Sequence, residues 1–523
     1  MRPRSCYKTI LMSRIDFHGA AAGLRSPVPL VRPSVKVSVN AVALTLALTL
    51  VWGAAVPAAT IPFTLQGPGV DPGRFRITAF ATGMNYPVGM AQLADGSLLV
   101  TSTDGPNFLS SSAGLVRLVD ANRDGIADSP PVTLFSGLSG GATSVRVAGS
   151  LVFVTGQGKP VVVLRQGSSP AAPLTQVGRL DITYPAGWLH PHSALAVRPT
   201  PGQAAAYDLV FQFGSKFNFA PSTNDTAPIT STGLGGFSGV LRGDTIYMLT
   251  FLDRGTTVLA TNLVAIAWGL RNPSGFAFQP STGDLYFEDN GIDGLVDVNE
   301  PTSADELNVL PAAAVGRTNL FYGYPSNYTA YRTGTVVGGQ GVQPLVAFQP
   351  QPNPANGEES EGPNDICFAP PGFPDELNNG VFVGFHGKFS SGGAANEENA
   401  LVFVGLDSTN YFHVTRSSLP RVGHLDGLLA TADSLFISDM STNGSLSTGT
   451  GRGVIYQVTS LVGPSVQARR SGEALELRWK GGTLQGSTSG PGNWVDITNT
   501  SPFRVNTTGP ASPTRLFRSR IPR

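Results

Sequence analysis

Residues 267–291 read AWGLRNPSGFAFQPSTGDLYFEDNG. Two segments that alternate aliphatic, aromatic and small residues, PSGFAF and GDLYFED, meet at a turn rich in proline, serine and glycine. That pattern reads as an antiparallel hairpin. The second segment has five counterparts: DGSLLVT at Leu98, GSLVFVT at Leu151, YDLVFQF at Leu209, NGVFVGF at Val381 and DSLFISD at Leu435. Each follows another short apolar segment: PVGMAQL, ATSVRV, HSALAV, PNDICF and LDGLLA. A recurring unit at this period is the mark of a repeat architecture, and two strands per unit suit the inner hairpin of a propeller blade. The expected fold is all-β, a six-bladed β-propeller over residues 60–460, with seven blades as the alternative. Wider spacing after Leu209 and Leu285 implies insertions, SKFNFAPSTNDTAPITSTGLGG (215–236) among them. RFRITAFATG (74–83) is expected to pair with RGVIYQV (452–458), because a closed ring leaves no edge strand exposed.

Composition agrees with many short strands. The 523 residues include 63 glycines and 41 prolines, which break helices and make turns. With 35 basic and 35 acidic residues the formal net charge is zero, which argues against a nucleic-acid partner. Ala41 to Trp52 (AVALTLALTLVW) is too short to span a bilayer but suits the apolar region of a secretory signal. Residues 1–59 are therefore expected to be removed, with Met12 or later as an alternative start. Export to the periplasm or the cell exterior follows, with no membrane span in the mature protein. Cys6 lies in that leader and leaves Cys367 alone, so no intramolecular disulfide forms and no haem or zinc motif exists. From 464 to 523 the sequence changes character. ALELRWKGGTLQGSTSGPGNWVDITNTSPF predicts a small β-sandwich-like module of immunoglobulin or fibronectin type.

Aligning the repeats at Met90, Val145, Leu195, Phe276, Ile366 and Leu428 collects polar groups at one mouth of the ring. Five positions earlier stand Asn85, Gly140, His190, Arg271, Glu361 and Gly423; four earlier come Asn272 and His424 among others. A histidine accepts a proton near neutrality, and an arginine fork holds an anion. Glu288-Asp289-Asn290-Gly291, with Asp305 and Glu306, offers oxygens suited to a hard cation. Asp120, Asn122, Asp124 and Asp128 match the first nine positions of a calcium loop, D-x-N-x-D-G-x-x-D, without its final glutamate. Gly137 to Gly141 fits G-x-S-x-G, but a strand pattern follows where a hydrolase elbow needs a helix.

At these residues the chain resembles the glucose/sorbosone dehydrogenases, soluble six-bladed quinoproteins that use pyrroloquinoline quinone (PQQ) and calcium. The resemblance is carried by AWGLRNPSGFAFQPSTGDLYFEDNG, ADELN (304–308), FYGYP (321–325), HPHSALAVRP, VGFHGKF (383–389) and GRGVIYQV, and spans about residues 74–460. It implies His190 as general base, with Arg271 and Asn272 at the quinone oxygens. It also implies that Lys388, Arg421 and His424 hold the cofactor. Gly291 and Ile292 would offer carbonyls to the cofactor's calcium, and Asp305 and Glu306 would form a structural calcium site. Leu189 precedes His190 where better-studied members carry an aspartate, and His192 competes as the base. The implied activity is oxidation of a sugar or polyol hydroxyl, with electrons leaving to an external acceptor. The alternatives are a non-catalytic carbohydrate- or protein-binding propeller and a lactonase-like hydrolase.

Overall fold

The computed structural model describes residues 60–297, 299–387, 398–406, 408–417, 424–462, 466–471, 474–479, 483–487, 494–506 and 516–520. The fold is all-β; among the described residues the helices are two single 3-10 turns, Pro72–Arg74 and Asp375–Leu377. The expected leader, Lys388 and Arg421 lie outside the described residues. No helix among the described residues is long and apolar enough to cross a membrane.

Every hairpin read from the repeat is present. Its first strands are Met90–Gln92, Ala142–Ala148, Leu195–Pro199, Pro273–Phe278, Pro363–Phe368 and Leu425–Ala430. Each pairs antiparallel with the strand after it, and the alignment positions sit opposite apolar partners, for example Val145 with Val154 and Phe276 with Phe287. Further strands extend each hairpin outward into a sheet of four or more, six such sheets in all. The six first strands touch one another in sequence order, and the sixth returns to the first. In the sixth sheet Phe75–Met84 pairs with Gly453–Ser460, from Phe75 opposite Ser460 to Met84 opposite Gly453, as the closure argument requires.

The core lies between sheets rather than at one centre. Phe211, Phe251 and Leu180 fill the gap between the second and third, and Phe276, Phe287 and Ile246 the next. Similar clusters occupy the remaining gaps. Each fully buried ring or branched chain contributes about 1.5–3 kcal/mol. The insertion after Leu209 is real: residues 226–242 form a hairpin that leaves the third sheet and pairs onto the second, with Arg179 opposite Thr232. Beyond residue 462 come two three-stranded sheets around Val466, Leu477, Trp479 and Leu484.

Candidate active site

The approach to the third inner strand carries His190, and the approach to the fourth carries Arg271. The segment Gly214–Ser215 ties them together. Ser215 donates its amide to the Arg271 carbonyl at 2.6 Å, and its own carbonyl meets His190 Nδ1 at 2.8 Å. Gly214 has to be glycine: a Cβ there would stand 2.8 Å from both the His190 and the Arg271 carbonyl oxygens. The Trp188 indole donates to the Gly214 carbonyl at 3.1 Å and closes this corner.

The bond to Ser215 decides what His190 can do. A carbonyl only accepts, so Nδ1 carries the proton and Nε2 keeps its lone pair. Burial, with Arg271 adding to it, pulls the His190 pKa down to about 3 against the opposing pull of the Ser215 bond. The ring is thus neutral and unprotonated at Nε2 over the physiological range. The Ser215 carbonyl fixes the orientation of the ring. His192 is different. Its Nδ1 lies 2.7 Å from the Tyr184 hydroxyl, its Nε2 lies 2.6 Å from the Lys159 carbonyl, and the ring is buried. With both nitrogens engaged it is a structural histidine.

Arg271 is 3% exposed and densely bonded. Its Nη2 donates to Asn218 Oδ1 at 2.9 Å and to Asp293 Oδ2 at 2.5 Å, and its Nη1 to the Asn290 carbonyl at 3.3 Å. Asp293 is 74% exposed on its side chain, so this partner can turn into solvent and leave the guanidinium to another anion. Asp289 clamps the backbone, accepting from the amides of Arg271 at 3.0 Å and Asn272 at 2.7 Å. Asn218 was not legible as a site residue; it lies in the insertion after an aromatic strand, and only the fold brings it to Arg271.

Arg271, Asp289, Gly291, Ile292 and Glu306 line one pocket with Tyr324. Burial raises the carboxyl pKa values here: Asp289 to about 7, Glu306 to about 8 and Asp305 to about 6. Asp305 spans two loops, accepting from Gly291 N at 2.6 Å and Gly362 N at 2.8 Å. Two expected ligands have protein partners. The Ile292 carbonyl accepts the amides of Thr302 (2.8 Å) and Ser303 (3.3 Å). His424 is buried with Nδ1 on the His386 carbonyl at 2.5 Å and Nε2 on the Gly444 carbonyl at 3.2 Å, so it braces two loops instead of facing a ligand.

The 120–128 loop lies between the third and fourth strands of the first sheet. Its side chains serve its own backbone: Asp120 accepts from Asp124 N and Gly125 N, Asn122 from Asp124 N, Asp124 from Ile126 N, and Asp128 from Ala121 N. Among the described residues, neither this loop nor Asp305 and Glu306 belongs to a group of three His, Cys, Asp or Glu donors mutually within 4.8 Å.

Residues 246–392 match the TrAA12-like family model. That stretch contains the whole of AWGLRNPSGFAFQPSTGDLYFEDNG with ADELN and FYGYP, and with them Arg271, Asp289, Asp305 and Glu306. Similar solved structures include a Trichoderma reesei structure of Carbohydrate-Active Enzymes Family AA12, with calcium, at 15% identity and a TM-score of 0.49 over 76% of this chain and 97% of that one. The holo pyranose dehydrogenase PQQ domain from Coprinopsis cinerea is 16% identical, TM-score 0.48, over 77% and 98%. A PQQ-bound aldose sugar dehydrogenase from Streptomyces coelicolor is 18% identical, TM-score 0.45, over 75% and 99%. A Borreliella burgdorferi protein without described function is 49% identical over 45 residues, and this chain spans 11% of its length.

Proposed function

We propose that this chain is an exported six-bladed β-propeller that uses PQQ and calcium to oxidise a hydroxyl of a sugar or polyol, with an immunoglobulin- or fibronectin-like module at its end. The observation that carries the reading is the state of His190: Nδ1–H held by the Ser215 carbonyl, Nε2 free, and the buried cation Arg271 joined to it through the same segment. The TrAA12-like match over the Arg271 stretch, and the solved relatives that carry PQQ or calcium, support the choice of cofactor.

The residues fit such a group. Arg271 can release the exposed Asp293 to take an anionic oxygen, and Asn272 stands beside it with its backbone fixed. Asn308 Oδ1 is a buried oxygen without a hydrogen-bond partner on a side chain that donates to Glu306 at 3.3 Å, and an all-oxygen surround suits calcium. Gly291, Asp305 and Glu306 belong to the same surround, while Asp120, Asn122, Asp124 and Asp128 remain a second candidate calcium loop. When bound, the quinone supplies the two-electron acceptor and calcium polarises it. His190 takes the hydroxyl proton at Nε2 as the carbinol carbon gives up its hydride, so substrate loses two electrons and two protons. Arg271 holds developing negative charge, which is worth most in a buried site. An external acceptor then collects the electrons. A binding-only reading draws on the exposed Leu189, Phe217, Phe219, Leu295 and Val296, apolar side chains in the loops that carry His190, Asn218 and Asp293.

The test is titration of the purified protein with PQQ in calcium, followed by dye reduction over a sugar panel. Saturable, calcium-dependent binding with turnover is expected, and His190→Ala should keep the binding while losing about two to four powers of ten in turnover. No binding at micromolar PQQ would overturn the quinoprotein reading and leave the binding one.

A further inference from the structure

Three carboxylates that the reaction above does not use gather beside the approach to the fifth inner strand. Glu359 and Glu361 lie in the approach to the fifth inner strand, and Glu398 lies just before the strand Leu401–Gly405. Ligand-capable oxygens of all three lie within 4.8 Å of one another. Backbone bonds fix this spacing: Asn399 N donates to the Glu359 carbonyl at 2.8 Å, and Gly387 N to the Glu361 carbonyl at 3.0 Å. Ser360 adds a bond from its hydroxyl to the Asn399 carbonyl at 2.8 Å.

A second observation is independent of the carboxylates. Tyr331 is 2% exposed, and its hydroxyl lies buried beside Glu361 without an aligned hydrogen bond. A buried phenol hydroxyl ordinarily finds a partner, so this oxygen marks a position something else fills. The next residue, Arg332, supplies positive charge from one side only. Its guanidinium divides between Glu300, at 2.6 and 2.7 Å, and Glu359, at 2.5 Å.

Carboxylates this close, with Glu398 buried and Glu359 and Glu361 half-buried, repel one another unless a cation sits between them. The donors are all oxygen, without sulfur or imidazole, and that selects a hard divalent ion over zinc or copper. We propose that Glu359, Glu361 and Glu398, with the Tyr331 hydroxyl, form a calcium-binding site. The bound ion ties the turn at 330–332 to the approach of the fifth inner strand and to the strand start at 398–401. Its ligands include none of the residues assigned to the quinone's calcium or to the 120–128 loop, so it stands whether or not PQQ binds.

The experiment uses the purified protein stripped with EDTA, without PQQ, and terbium as the probe. Excitation of tyrosine should give terbium emission that saturates and is displaced by calcium, since Tyr331 touches the ion. Glu361→Gln and Glu359→Gln are each expected to weaken calcium binding at this site at least about tenfold, because affinity follows ligand charge. Asp124→Asn and Glu306→Gln should leave that component in place. Calcium should also raise the Tm of the wild type and raise it less in Glu361→Gln, a variant expected to fold because it removes one of several crowded negative charges. Absent sensitised emission, or equal calcium affinity in wild type and Glu361→Gln, overturns the proposal. So does a calcium-induced Tm gain that survives in both glutamine variants.

Discussion

Arg146 and Asp365 give the sharpest test of how the ring is held. Arg146 belongs to the second inner strand and Asp365 to the fifth, three steps apart in a cycle of six, yet Nη2 meets Oδ1 at 3.0 Å. The pair therefore reaches across the middle of the ring. Asp365 also accepts from Leu428 N at 3.2 Å on the sixth inner strand, so a single carboxylate joins three strands. Its side chain is 8% exposed and that of Arg146 18%, which places both well away from bulk water. In Arg146→Met a buried carboxylate loses its cation, and the loss of stability should be about 3–5 kcal/mol. That is roughly two to four powers of ten in the folding equilibrium, readable in an equilibrium urea titration.

Two features distinguish this cause from a simple packing defect. Burial already raises the Asp365 pKa, and removing Arg146 raises it further. A folded carboxyl with a raised pKa binds a proton that the unfolded chain has released, so the deficit is full at pH 8 and shrinks as the pH falls towards 4. Adding Asp365→Leu to Arg146→Met should recover most of the loss, because a well-packed apolar pair replaces a buried ion pair at little cost. A deficit under about 1 kcal/mol for Arg146→Met, or one that does not change with pH, would refute the reasoning.

Three further outcomes follow from the same geometry. The His190 ring should stay neutral at pH 5 in the free protein, with Nδ1 protonated, because burial and Arg271 hold its pKa near 3; nitrogen NMR showing titration close to 6.5 would contradict the site as described. Gly214→Ala should cost about 1–3 kcal/mol and disturb the Ser215–His190 bond, since its Cβ meets two backbone oxygens that cannot swing aside; the His190 Nδ1 shift and urea stability report the two effects. Raised carboxyl pKa values at Asp289 and Glu306 mean that stability falls as the pH climbs from about 4 to 7 and 8 and levels off above, while the depressed histidines His190, His192 and His386 lose it only below about 6.5. Calcium should therefore raise the Tm more at pH 8 than at pH 6, and equal gains at the two values would count against metal near those carboxylates.

Much of the fold was legible because its signal is local. Alternation with a period of two, broken by glycine and proline, located all six inner hairpins, and the closing pair 75–84 with 453–460 followed from the need to cover an edge. The insertion after Leu209 showed as a long gap, but its destination did not: nothing near residues 226–242 says that they pair with Arg179 to Ile182. Spacing from the repeat also put His190 and Arg271 at equivalent positions, and the segment Gly214–Ser215 joins them.

What each side chain does there was decided by partners far along the chain. The choice between His190 and His192 rests on ring nitrogens that meet Ser215, Tyr184 and Lys159, between 8 and 33 residues away. Asn218 reaches Arg271 across 53 positions, and Arg146 reaches Asp365 across 219. His424 shared the ring register and still turned out to be a brace, since register fixes a backbone position but not which carbonyls surround the ring. The sequence by itself determined the six inner hairpins and the closing strand pair, because hydrophobic period and turn chemistry act over a few residues. Only the tertiary structure decided which histidine keeps a free lone pair and which carboxylates are crowded together, because hydrogen bonds and burial depend on segments that meet when the ring closes.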